Sequence, residues 1–166
     1  MKKILITSLM IVFGSAFAQT SDSTTAPTTD VATTTAAVSP EEHYARAQEL
    51  AAQAEVAYPI PFYDRDLWKA AVSEADMAVK GDANREYRSY LGQLYTTTQW
   101  WINGYRIWVE LGDLTDEEKV WAAETAAKLA YMRLQQNDKA KAREYVQQGL
   151  KWQETDSLKA LAKRVM

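Results

Sequence analysis

Three pairs of carboxylates could divide the work of proton donor and proton acceptor: Asp64 with Asp66, Asp113 with Asp116, and Glu117 with Glu118. In glycoside hydrolysis one member of such a pair protonates the leaving oxygen while the other attacks or activates water. Here each pair falls where a helix is expected to begin or the chain to turn. Acids are favoured there as caps and by the positive end of the helix dipole, so the pairs are accounted for without catalysis. His43 is the single histidine, and it sits beside Glu41 and Glu42 in an expected first helical turn, where a surface imidazole is the simplest reading. The chain has no cysteine, so metal sites built from several His or Cys ligands are excluded. Neither a glycine-rich phosphate loop nor a GxSxG elbow occurs. No catalytic residue, metal or cofactor is therefore expected.

The aromatic residues carry more information. Trp68, Trp101, Trp108 and Trp121 fall on stripes with other apolar residues and are expected in the core. Trp100 adjoins Trp101 near a helix start, and consecutive helical residues point about 100° apart, so full burial of both is not expected. An exposed Trp100, with Tyr58 and Phe62 from a proline-containing loop, would form an aromatic patch suited to a protein partner or a sugar ring.

The segment that must position these residues follows two others of different character. Residues 1–18 carry Lys2 and Lys3, an apolar run from Ile4 to Phe13, and the small-residue motif Ala16-Phe17-Ala18. This is the pattern of a secretory signal peptide cleaved before Gln19. An uncleaved anchor is the alternative, but the run is shorter than the roughly 20 apolar residues of a spanning helix. The chain is expected to be exported to the periplasm or envelope, or secreted, with no stable membrane span after cleavage. Without cysteine, export brings no disulfides. Loss of Lys2 and Lys3 leaves 17 basic against 22 acidic residues. With no basic cluster to release counterions from a phosphate backbone, nucleic acid is not an expected partner.

Residues 19–39 are almost wholly Thr, Ala and Ser. They lack the large apolar side chains that offset about 1–2 kcal/mol of backbone entropy per ordered residue, so a disordered spacer is expected. An O-glycosylated stalk is a second reading of the same composition.

Helix signals begin abruptly at Ser39-Pro40-Glu41-Glu42, a capping box with proline at the first helical position. The spacing predicts a first helix over 41–57 with Tyr44, Leu50 and Val56 among alanines, stopped by Tyr58-Pro59-Ile60-Pro61. A second runs from 64 or 66 to 79 with Leu67, Ala71, Ala75 and Ala78 in one stripe. A third spans 84–97 with Tyr87, Leu91, Leu94 and Tyr95 inward, closed weakly by Thr96-Thr97-Thr98. A fourth covers 100–111 and buries Trp101, Tyr105 and Trp108. Thr115-Asp116-Glu117-Glu118 opens a fifth to 135, and Asn137-Asp138 turns the chain into a sixth over 139–152, which buries Ala142, Val146 and Leu150. A seventh from Asp156 presents Leu158, Leu161 and Val165. No segment alternates with period two, so no sheet is expected.

Helix pairs recur at intervals near those of helical repeats. Leu91-Gly92-Gln93-Leu94-Tyr95 reproduces L-G-x2-Y, with Gly104 nine residues on and Trp108 four further. A second copy runs from Leu129 to Asp138 and then from Ala140 to Leu150, with Ala142 and Val146 in the small and large places. A third keeps only Ala71, Ala75 and Ala78, beside an insertion around 58–63. On these residues the chain resembles tetratricopeptide repeats. Its small anchors Ala71, Gly104 and Ala142 are spaced by 33 and 38 residues where the family's unit is about 34, and the family's inter-repeat proline is missing. The resemblance implies an all-α fold over residues 40–166: antiparallel helical hairpins stacked as a short right-handed solenoid of three repeats, with a C-terminal capping helix. An unrelated helical bundle with similar stripes is the alternative.

The resemblance also implies a non-enzymatic docking module with its concave face on the first helix of each pair. Carried over position by position, that groove comprises Gln48, Ala52 and Glu55, then Ser89, Gln93, Thr96 and Thr97, then Ala127, Tyr131, Leu134 and Gln135. The Asn, Lys and Arg with which one subgroup clamps a C-terminal carboxylate are replaced by Ala, Gln and Tyr. The expected partner is a peptide or protein of the envelope, and a carbohydrate held on the aromatic patch is the rival. The oligomeric state stays open.

Overall fold

The computed structural model describes residues 37–61 and 65–166, within a unit spanning Ala36–Met166. The expected signal peptide, the spacer as far as residue 36, and residues 62–64 with Phe62 lie outside the described residues. Seven helices and no strand occur among them: α1 (Pro40–Ala57), α2 (Asp66–Gly81), α3 (Arg85–Thr97), α4 (Trp101–Leu111), α5 (Asp116–Gln135), α6 (Lys139–Trp152) and α7 (Asp156–Val165). None is long and apolar enough to cross a membrane.

Local chemistry sets the ends. Ser39 with Glu42, and Thr115 with Glu118, form reciprocal capping boxes on α1 and α5, while Asn84, Asp138 and Thr155 cap α3, α6 and α7 through their side chains. Asn137 closes α5 with a positive φ of 60°, and the Asp138 N–H donates to the Arg133 carbonyl at 2.9 Å. The threonine run closes α3 more firmly than its propensity implies. The Thr96 and Thr98 hydroxyls donate to the carbonyls of Gly92 and Leu94 at 2.9 and 2.7 Å, and Gln99 then reverses the chain at φ 67°.

Consecutive helices pack as antiparallel hairpins. Pro40 at the start of α1 lies against Gly81 at the end of α2, and the Trp68 indole donates to the Tyr58 carbonyl at the opposite end. In α1 the fully buried residues are Ala47 and Ala54, both 0% exposed; of the larger apolar residues Tyr44 and Leu50 are half-buried and packed inward, while Val56 is 87% exposed. Two alanines seven residues apart let the backbone of α1 approach α2, where Trp68 and Val72 supply the bulk. His43 is likewise not a bare surface imidazole, since it contacts the Glu74 carboxylate on α2.

Glycines sit at the seam between α3 and α4. A Cβ on Gly92 would lie 2.8 Å from the ring of Trp108, itself 0% exposed, and one on Gly104 would lie 3.6 Å from the Gly92 carbonyl oxygen. The small anchors Ala71, Gly104 and Ala142 are all buried. Besides their hairpin partners, α3 packs on α5 and α5 on α7. Apolar side chains gather in two larger clusters, one among α1, α2 and α3 and one centred on α5, α6 and α7, with Trp108, Leu114 and Ala122 between them.

Candidate functional site

The helices α1, α3, α5 and α7 line four depressions that share residues in sequence. The first, of about 450 Å³, lies over Tyr44, Arg85, Ser89, Tyr90 and Gln93. Tyr90 and Gln93 also line the second, of about 400 Å³, with Gln48, Ala52, Glu55 and Thr97. Thr97 and Trp121 pass into a third, of about 550 Å³, which adds Gln99, Trp101, Glu124, Lys128 and Tyr131. The last three of these continue into a fourth, of about 530 Å³, bordered by Val120, Ala127 and the start of α7.

Most of the residues expected in a groove are brought together here. Gln48, Glu55, Ser89, Gln93, Thr97 and Tyr131 all line it. Thr96 does not serve as a groove contact. It reaches the floor of the third depression but is 2% exposed, and its hydroxyl meets Thr125 Oγ1 at 2.8 Å and accepts from the Trp108 indole at 3.3 Å. Leu134 packs against the α5–α6–α7 cluster, and Gln135 lies outside the four depressions.

The expected aromatic patch is largely drawn into packing. Trp100 stacks on Tyr95 with ring centroids 5.6 Å apart, and Tyr58 is half-buried with the Arg65 guanidinium 4.5 Å above its ring. Both pack on the α1–α2–α3 cluster. The aromatic residues lining the third depression are instead Trp101, Trp121 and Tyr131; the first two pack on core clusters as expected but are only partly buried and also border this depression. On α5 the signal was in the sequence: Trp121, Glu124, Lys128 and Tyr131 recur at helical spacing. The carried-over positions Ala127 and Leu134 lie about 80–100° to one side of that stripe, while Gln135 continues it at the last residue of α5, past the depressions.

The electrostatics of the first depression are fixed by one ion pair. Arg85 donates to the Leu111 and Asp113 carbonyls at 3.3 and 2.7 Å and to Glu118 Oε2 at 2.6 Å, tying the start of α3 to the end of α4 and the start of α5. Burial alone would raise the Glu118 carboxyl. Hydrogen bonds from the Thr115 backbone, Ser89 and Arg85 outweigh it and hold the group below the usual glutamate range. Tyr90 is pushed up to about 12 by burial, with Tyr44 adding to it, and burial followed by the Glu86 carboxylate raises Tyr44. Phenols held protonated and a carboxylate locked to a guanidinium are poor proton shuttles at neutral pH. What the surface offers is amides, hydroxyls, free carboxylates and ring faces.

No family model matches the chain, and no curated protein or solved structure matches it at a significant level.

Proposed function

We propose that this chain is an exported, non-enzymatic docking module whose three helical hairpins stack in the manner of tetratricopeptide repeats. In this reading α7 caps the stack, and the concave face holds an extended segment of a protein partner in the cell envelope. The observation that carries the reading is the series of four depressions running across the first helices of the pairs, each sharing residues with the next. The stack is supported by the small residues at the hairpin seams and by the packing of α3 on α5 and α5 on α7. Export is supported by the sequence of residues 1–18. Amides and hydroxyls spaced along a groove suit the regularly spaced N–H and C=O groups of an extended chain.

Photo-crosslinking in cells that export the protein tests this. A photoreactive side chain at Gln93 in the groove should give a discrete protein adduct that Trp121→Ala suppresses. The same group at the exposed Gln147 of α6 should give none. Adducts only at Gln147, or at neither position, would overturn the reading.

A further inference from the structure

We propose that the occupant of the groove is an extended basic peptide segment, with lysine or arginine side chains set against the rings of Trp121 and Tyr131 and paired with Glu55 and Glu124. This rests on the docking reading above and names the chemistry of the partner.

Charge carries the argument first. The carboxylates of Glu55, Glu86 and Glu124 line the depressions. Of the basic groups lining them, Arg85 is already paired with Glu118 at 2.6 Å, which leaves Lys128. The lysine and arginine surplus lies on α6 and the last turn of α7, and neither helix contributes a charged side chain to the four depressions. An acidic segment would bring carboxylate against carboxylate in a partly desolvated groove, whereas a basic one meets complementary potential.

The rings carry it second. A cation is attracted to the face of an aromatic ring within about 6 Å of its centroid, most strongly for Trp. The third depression already contains one such pair, with Lys128 Nζ 5.9 Å from the Trp101 ring. Trp121 and Tyr131, the latter 49% exposed, border the same depression beside Glu124. A second cation placed there has an aromatic ring and a carboxylate together. Reach is consistent with a peptide: the two packed steps from α3 to α5 and α5 to α7, each about 8–10 Å, already need roughly five or six residues of extended chain, and the depressions reach beyond them to α1.

Selection of displayed random peptides of about 12 residues on the whole chain tests the inference, with counter-selection on Trp121→Ala. Peptides that depend on Trp121 should be enriched in Lys and Arg by at least about twofold over the starting library. The double variant Glu55→Lys/Glu124→Lys should select Asp and Glu instead. Trp121-dependent peptides without basic enrichment, or with a preference unmoved by charge reversal, would overturn the basic partner and leave the docking groove standing. A groove that selects no peptide at all would overturn both, and sedimentation with isolated cell-wall polysaccharide that Trp121→Ala abolishes would then assign it to sugar. Should Trp121→Ala unfold, Tyr131→Ala at a half-exposed ring provides the same comparison.

Discussion

The Trp108 indole fills the space that a side chain at Gly92 would occupy, with Cζ2 and Cη2 2.8 and 2.9 Å from the position of a Cβ there. Alanine is normally the better helix former by about 1 kcal/mol. At this position the ring is 0% exposed and walled in, so it cannot swing aside. Gly92→Ala should therefore lower stability by about 1–3 kcal/mol, an overpacking cost, as read by urea unfolding. In a Trp108→Leu background, itself destabilised by the cavity it opens, the same Gly92→Ala change should cost less, since the smaller side chain vacates the contested volume. Equal or greater stability of the single variant would show that the seam is looser than described.

The Glu118 carboxylate, held by the Thr115 backbone, Ser89 and Arg85, makes stability depend on pH in a defined sense. Because the folded carboxyl lies below the ordinary value of 4.5, the unfolded chain binds more protons than the folded one in that range. The contribution is complete above the unfolded value and disappears as pH falls through the folded one. Glu118→Gln should thus cost about 1–3 kcal/mol at pH 7, and its deficit relative to wild type should shrink as the pH is lowered below 4.5. A deficit that stays constant down to the acid limit would show that the charge on Glu118 does not matter.

Thr96 and Gln93 separate folding from binding. Thr96→Val keeps the shape but removes the acceptor of the Trp108 indole and the partner of Thr125, so a loss of about 1–3 kcal/mol is expected from buried groups left unpaired. Gln93 is half-buried and lines two depressions. Gln93→Ala should leave the unfolding midpoint nearly unchanged and weaken partner binding, measured on the crosslinked partner once purified. If the two variants exchange phenotypes, Thr96 belongs to the groove after all.

How much of this was legible depends on what each residue answers to. Helix ends are decided by local chemistry, and Ser39, Asn84, Thr115 and Asp138 place them within about one residue of expectation. The inward face of α2, with Ala71, Ala75 and Ala78, follows from periodicity alone. What periodicity does not encode is how close two helices come. In α1 the spacing of Tyr44, Leu50 and Val56 does not show that Ala47 and Ala54 form the seam, with Trp68 of another helix packed in the same cluster. The same limit applies to the groove. Trp121 looks like core by type, and only the packing of α3 on α5 decides that its ring borders a depression. Trp100 and Trp101 are both only partly buried, as their adjacency leads one to expect, whereas the stacking of Trp100 on Tyr95 depends on the turn at Gln99.

The seam between α1 and α2 gives the last test, since two residues of the same helix run against what their types suggest. Val56 is apolar and 87% exposed, and Ala54, two positions earlier, is small and 0% exposed. By residue type Val56 would be the core position. By geometry Val56→Ser touches nothing and should change stability by no more than about 0.5 kcal/mol. Ala54→Leu would force added methylenes between two helices whose backbones already approach closely, and should cost about 1–3 kcal/mol. Chemical denaturation of the two variants decides it: a costly Val56→Ser beside a tolerated Ala54→Leu would mean that α1 is rotated and that Gln48 and Glu55 do not face the groove.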